Sequence, residues 1–180
     1  IAILPGSRAE AYVNFELICD VVEGLSEGQF LVALAPQLSV EKLAERLQFS
    51  GWEFVDSWSF RKGRNSLFLI SNFIDVVSRA DVVIGLAGTA NEQAVFLGKS
   101  VISFEGNGPQ STKERFLEQK KLLGELYFFI DEKDRKQLRV KVSKQVQLIV
   151  EKAEGISDNS DFVSVQYASR DIVKKVFGTT

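Results

Sequence analysis

The 180-residue sequence has no histidine, no methionine, one cysteine and three prolines. Without histidine the commonest general base and the commonest nitrogen ligand for metals are missing, which excludes most triad hydrolases and zinc enzymes. Cys19 alone forms neither an internal disulfide framework nor a multi-cysteine metal site. No apolar run approaches the ~18–20 residues that a membrane span requires. Charge of one sign is lacking too. The 22 basic and 24 acidic side chains leave a net charge of -2, whereas nucleic-acid binders carry a strong basic excess. The missing methionine, and the direct opening on Ile1-Ala2-Ile3-Leu4, lead us to expect a domain excised from a longer protein.

What is present reads as one domain over residues 1–180, large enough to bury roughly 70% of the surface its unfolded chain exposes. Strand and helix signals alternate throughout. Residues 1–4 form an apolar run closed by Pro5-Gly6. Ala11, Phe15, Ile18, Val22 and Leu25 then fall on one helical face. Residues 30–35 make a second apolar run, and Ser39 begins another helix, keeping the period through Val40, Leu43, Ala44 and Leu47. Residues 52–58 and 66–70 read as strands separated by a polar turn over 61–65. A short helix from Phe73, a strand over 81–85, a helix over 90–97 closed by Gly98, and a strand over 101–104 follow.

After a glycine-rich loop come a charged helix over 112–123, a strand over 126–130 and two closing helices. The first of these sets Leu138, Val142, Val146, Ile149 and Ala153 on one face, and the second Phe162, Val165, Ala168, Ile172 and Val176; residues 155–161 read as the loop between them. Strands without strict alternation, each followed by a helix, predict a doubly wound, mostly parallel, Rossmann-like α/β sheet. Phe30, Phe54, Phe68, Phe104 and Phe129 read as core, and Cys19 as packing.

Ligands of such sheets bind outside the carboxyl ends of the strands, beside free helix N-termini. Three loops there carry suitable residues. In Pro5-Gly6-Ser7-Arg8, Gly6 lets the backbone approach a ligand, Ser7 offers a hydroxyl and Arg8 a fork of donors for phosphate. It is not a Walker A loop, since the lysine–serine pair is missing. In the stretch from Gly85 to Gln93, Gly88, Thr89 and Ala90 make a nest for a diphosphate, and Glu92 and Gln93 are acceptors for ribose hydroxyls. In Gly106-Asn107-Gly108-Pro109-Gln110, the amides of Asn107 and Gln110 suit sugar hydroxyls. The plain alternative for each is an ordinary turn, with Ser7 or Thr89 as a helix N-cap.

Taken together, Leu4-Pro5-Gly6-Ser7-Arg8 with Glu10, Gly88-Thr89-Ala90-Asn91-Glu92-Gln93-Ala94-Val95, Gly98-Lys99-Ser100-Val101-Ile102 and Gly108-Pro109-Gln110 resemble the C-terminal half of lipid-A-disaccharide synthase and its related family. The resemblance covers residues 1 to about 125. It implies the donor-binding half of a bacterial GT-B glycosyltransferase, with a UDP-sugar as substrate and no cofactor or metal. The acceptor domain would lie in a missing N-terminal part and supply the catalytic base. The family also implies a cytoplasmic place at the periphery of the inner membrane, with a lipid-linked acceptor.

Residue by residue, Gly6, Ser7, Arg8, Gly88, Thr89 and Ala90 would face the diphosphate. Phe73 and Ile74, within Asn72-Phe73-Ile74-Asp75, would read uracil through main-chain groups, as a similar segment does in the UDP-N-acetylglucosamine transferase of peptidoglycan synthesis. Asn107 and Gln110 would lie near the sugar. The synthase has its ribose-binding glutamate where this sequence has Gln93, and Glu92 sits one place earlier, about 100° around the helix.

Other readings stay open. A UDP-sugar epimerase or hydrolase needs an acid and a base, for which Glu10 and Glu105 are the candidates. A non-catalytic nucleotide-binding module is another. Its receiver-like version would use Asp56, but Pro5-Gly6-Ser7 stands where receivers carry an acidic pair. The helix bearing Phe116, Leu117, Lys120 and Lys121 is either a solvated face or a contact for a membrane or lipid acceptor.

Overall fold

Apolar runs of strand length require cover on both faces, and the sheet provides it. The structure is a computed structural model that describes residues 1–157. Strands β1 (Ala2–Leu4), β2 (Gly28–Ala33), β3 (Glu53–Asp56), β4 (Ser59–Lys62), β5 (Asn65–Ile70), β6 (Val82–Gly85), β7 (Ser100–Phe104) and β8 (Tyr127–Ile130) form one sheet in the order β3-β4-β5-β2-β1-β6-β7-β8. Pairing is parallel from β5 across to β8; β4 is antiparallel to both of its neighbours, β3 and β5. The helices are α1 (Ala11–Val22), α2 (Val40–Phe49), α3 (Phe73–Ser78), α4 (Thr89–Phe96), α5 (Lys113–Leu123) and α6 (Arg135–Ser157). This is the doubly wound Rossmann-like α/β architecture that the alternating pattern predicts.

The chain divides into two units, Ile1–Val150 and Glu151–Thr180, and the sheet lies wholly in the first. The usual right hand of such crossovers assigns α1 and α2 to one face and α3, α4 and α5 to the other, consistent with the packing of α1 on α2 and of α4 on α5. Ala2, Ile3, Val82, Val83, Ile84, Val101 and Ile102 are fully buried between them. Phe15, Ile18, Cys19 and Val22 of α1 are equally buried, and that burial pushes the Cys19 thiol well above its ordinary pKa. The α6 face built from Leu138, Val142, Val146 and Ile149 is buried as its period requires; Ala153 is exposed. Ser39 accepts a hydrogen bond from the Lys42 N–H as the N-cap of α2.

Several expectations are corrected. Residues 52–70 hold three strands, not two, because Phe60, Arg61 and Lys62 belong to β4 and the turn shrinks to Gly63 and Arg64. Asp56 ends β3, the edge strand of this hairpin, where its carboxylate accepts from the Trp58 N–H. Phe54 is exposed because β3 is an edge strand whose residues are all exposed, while Phe68 and Phe129 are half-buried. Phe116 is fully buried against Phe129, so it offers no surface to a membrane. Helix α6 continues through residues 155–157, the start of the expected loop. The helix expected from Phe162 to Val176 lies outside the described residues. Among the described residues, no helix is long and apolar enough to cross a membrane.

Candidate functional site

The chain leaves β1 toward β2 and leaves β6 toward β7, so neighbouring parallel strands send their helices in opposite directions. A crevice opens at that point in every sheet of this kind. Here it is a cleft of about 390 Å³ above β1 and β6, walled by the loops that follow β1, β2, β5, β6 and β7.

The loop after β1 turns at Gly6, whose φ of +101° lies in the left-handed region that glycine tolerates. Neither Ser7 nor Thr89 caps a flanking helix, although Glu92 does stand in the first turn of α4, where an acidic side chain suits the helix dipole. Helix α1 has Glu10, not Ser7, at its N-cap, without a side-chain cap bond; α4 has Gly88, not Thr89, again without one. The N–H groups of Thr89 and Ala90, first in α4, have no partner among the described residues. Arg8 is exposed and its guanidinium pairs with nothing among the described residues. The free N–H groups that open α4 and the exposed Arg8 give this wall positive character, with the Glu10 carboxylate at the start of α1 opposing it.

The loop after β7 closes the opposite side. Asn14, buried on α1, donates to the Asn107 carbonyl at 3.1 Å and accepts from the Asn107 N–H at 2.7 Å. Ser111 in turn donates to the Leu86 carbonyl at 2.9 Å, tying this loop to the one after β6. Glu10 lies against Gly108, where a Cβ would stand only 2.7 Å from its Cγ. The Gln110 amide reaches toward Gly88 and accepts from Arg115 at 3.5 Å.

Ten of the twelve residues singled out from the sequence line this cleft. Gly6, Ser7 and Arg8 stand on one loop, Gly88, Thr89, Ala90 and Gln93 on another, with Asn107, Gln110 and Phe73 completing the wall. Two do not. The Ile74 side chain is exposed elsewhere and its N–H is taken by the Asn72 side chain at 3.0 Å. Glu92 faces α5, where it accepts from Gln119 at 3.3 Å; the helical offset between positions 92 and 93 separates them, and Gln93 takes the cleft side. Glu105 is exposed and stays outside the lining, so among the described residues Arg8 and Glu10 alone bring charge to it.

Asn14, Ser111 and Gln119 escaped the sequence reading. Asn14 did leave a signal, as an amide on the otherwise apolar face of Ala11, Phe15 and Ile18. Ser111 and Gln119 left none, because their partners lie 25 and 31 residues away. Among the described residues no cluster of acidic, thiol or imidazole side chains suited to a metal ion occurs. No family model matches this chain, and no curated protein or solved structure does either.

Proposed function

We propose that the cleft binds the diphosphate of a UDP-sugar, and that the chain is the donor half of a glycosyltransferase of the kind its motifs resemble. One observation carries this reading: the uncapped first turn of α4 and the unpaired Arg8 line one cleft at the switch point of the sheet. A diphosphate is the ligand class that uses several backbone N–H donors and a guanidinium at once. In transfer, the same donors would stabilise the charge that grows on the UDP leaving group as the bond to the sugar breaks. Gln93, Asn107, Gln110 and Glu10 supply neutral and acidic acceptors for ribose and sugar hydroxyls.

A lone carboxylate on the cleft wall supports binding here and proton transfer elsewhere, since an epimerase or hydrolase would need a second acid–base group. The base, the acceptor site and any lipid-linked acceptor would belong to another domain, and the protein would work at the cytoplasmic face of a membrane without spanning it. The isolated 180 residues should therefore bind nucleotide and transfer nothing. Gln93 favours a second reading, a non-catalytic nucleotide module, because its amide lacks the charge that strengthens bonds to ribose.

The test is a calorimetric titration with UDP, UDP-N-acetylglucosamine, ADP and GDP. We expect uridine selectivity and a Kd of ~0.1–1 mM, about -4 to -5.5 kcal/mol. No heat from any of the four at millimolar concentration would sink the donor reading. A Gln93→Glu variant that tightens UDP several-fold would point to a module decayed from an enzyme.

A further inference from the structure

Gly88 stands at a position where the backbone has the most freedom, and the helix it begins has no side-chain cap. Something else must hold that turn. The Gly88 carbonyl accepts from the Asn91 N–H at 3.1 Å, from the Glu92 N–H at 3.3 Å and from Nε2 of Gln119, on α5, at 3.0 Å. In a trans peptide the N–H points opposite to the C=O. A carbonyl pulled toward the helix body and α5 therefore turns the Thr89 N–H outward, to the cleft. Ordinary caps consume the first N–H groups of a helix. Here the carbonyl is anchored instead, and the N–H groups stay free.

The orientation of the Gln119 amide follows from its neighbours. The Gly88 carbonyl and the Glu92 carboxylate accept only, so the NH2 end must face them. The amide oxygen then takes the hydroxyl of Tyr127, at 2.8 Å. Tyr127 is buried at the start of β8, and burial pushes its pKa up to about 12, which keeps the hydroxyl proton in place across the physiological range. We infer that Gln119, itself set by Tyr127, is a positioning residue for an anion site at the N-terminus of α4: it presents the Thr89 N–H, next to that of Ala90, to a bound phosphate without touching the ligand. The inference rests on the diphosphate reading of the cleft.

Uridine and UDP differ only in the group this device would serve. Both are titrated by NMR into 15N-labelled full chain, wild type and Gln119→Met, with Tyr127→Phe as a second variant that keeps the glutamine. We expect UDP to weaken 5- to 10-fold in Gln119→Met and about 3-fold in Tyr127→Phe, uridine to change less than twofold, and the Thr89 and Ala90 amide shifts induced by UDP to shrink. Equal losses for uridine and UDP would mean a merely structural role and overturn the inference. Unchanged UDP affinity in both variants would overturn it as well, leaving the cleft reading intact. Wild-type chain that binds uridine and UDP equally would defeat both together. If Gln119→Met does not fold, Tyr127→Phe decides alone by the same ratio.

Discussion

Asn14 and Asn107, 93 positions apart, exchange a donor and an acceptor through a single side-chain amide: Nδ2 to the Asn107 carbonyl, Oδ1 from the Asn107 N–H. The bonds fasten the loop after β7 to the first turns of α1, so two walls of the cleft are tied together. Gly106 lets the amide in, since a Cβ there would stand 2.8 Å from Asn14 Oδ1.

Removing that amide should cost stability. Asn14→Leu removes the partner of the part-buried Asn107 N–H and C=O, and each such lost hydrogen bond costs ~0.5–1.5 kcal/mol. Asn14→Asp keeps the acceptor for the Asn107 N–H but sets a buried carboxylate oxygen against the Asn107 carbonyl, and should lose at least as much. Urea denaturation of the three proteins checks the order; an Asn14→Leu midpoint equal to wild type would contradict the clamp.

Arg8→Ala should separate binding from stability. The side chain is exposed and unpaired among the described residues, so the thermal midpoint should stay within about 2 °C of wild type, as for surface changes worth less than ~0.5 kcal/mol. UDP affinity should fall about tenfold, equivalent to ~1.4 kcal/mol. A variant that binds UDP as wild type does removes Arg8 from the site.

Tyr127 makes stability depend on alkaline pH. Its folded pKa is near 12 against 10 in the unfolded chain, so below pH 10 both states hold the proton and nothing is lost. Between pH 10 and 12 the unfolded state releases it first, and stability falls by about 1.4 kcal/mol per pH unit from this group alone. Tyr127→Phe should therefore lose less stability than wild type between pH 9 and 11.5, measured by urea midpoints. Parallel losses would mean that Tyr127 titrates normally.

Gly85→Ala should be among the most damaging single-methyl changes. The amide of Asn91 packs onto Gly85, with Oδ1 2.0 Å from where a Cβ would stand, while Nδ2 donates to the Gly85 carbonyl and to Ser103. Admitting a methyl expels a buried amide and should cost more than ~2 kcal/mol. Calorimetric unfolding gives the answer; a loss under 0.5 kcal/mol would show that Asn91 has room to move.

Much of the parallel sheet was legible from local signals. Apolar runs such as residues 1–4 and 101–104, closed by glycine or proline and followed by helical periods, define βα units without any long-range information. The hairpin of β3 and β4 was not, because two short strands and a tight bend at Trp58 resemble one irregular strand. Phe54 and Phe116 fail for the same reason. Edge position exposes the first and the approach of Phe129 buries the second, and neither is a property of the residues beside them.

For the cleft the division is physical. Glycine, hydroxyl and guanidinium side chains at strand ends announce an anion-binding loop from sequence alone, since those residue types follow from backbone freedom and donor chemistry. Tertiary structure decided which neighbours share the wall. Gln93 faces the cleft and Glu92 faces α5 because helix α4 is rotated against the sheet by its packing. Asn14, Ser111 and Gln119 matter because the fold brings distant backbone groups within hydrogen-bond reach. Local chemistry is written along the chain, while the pairing of polar groups is fixed only once the sheet order has placed the loops beside one another.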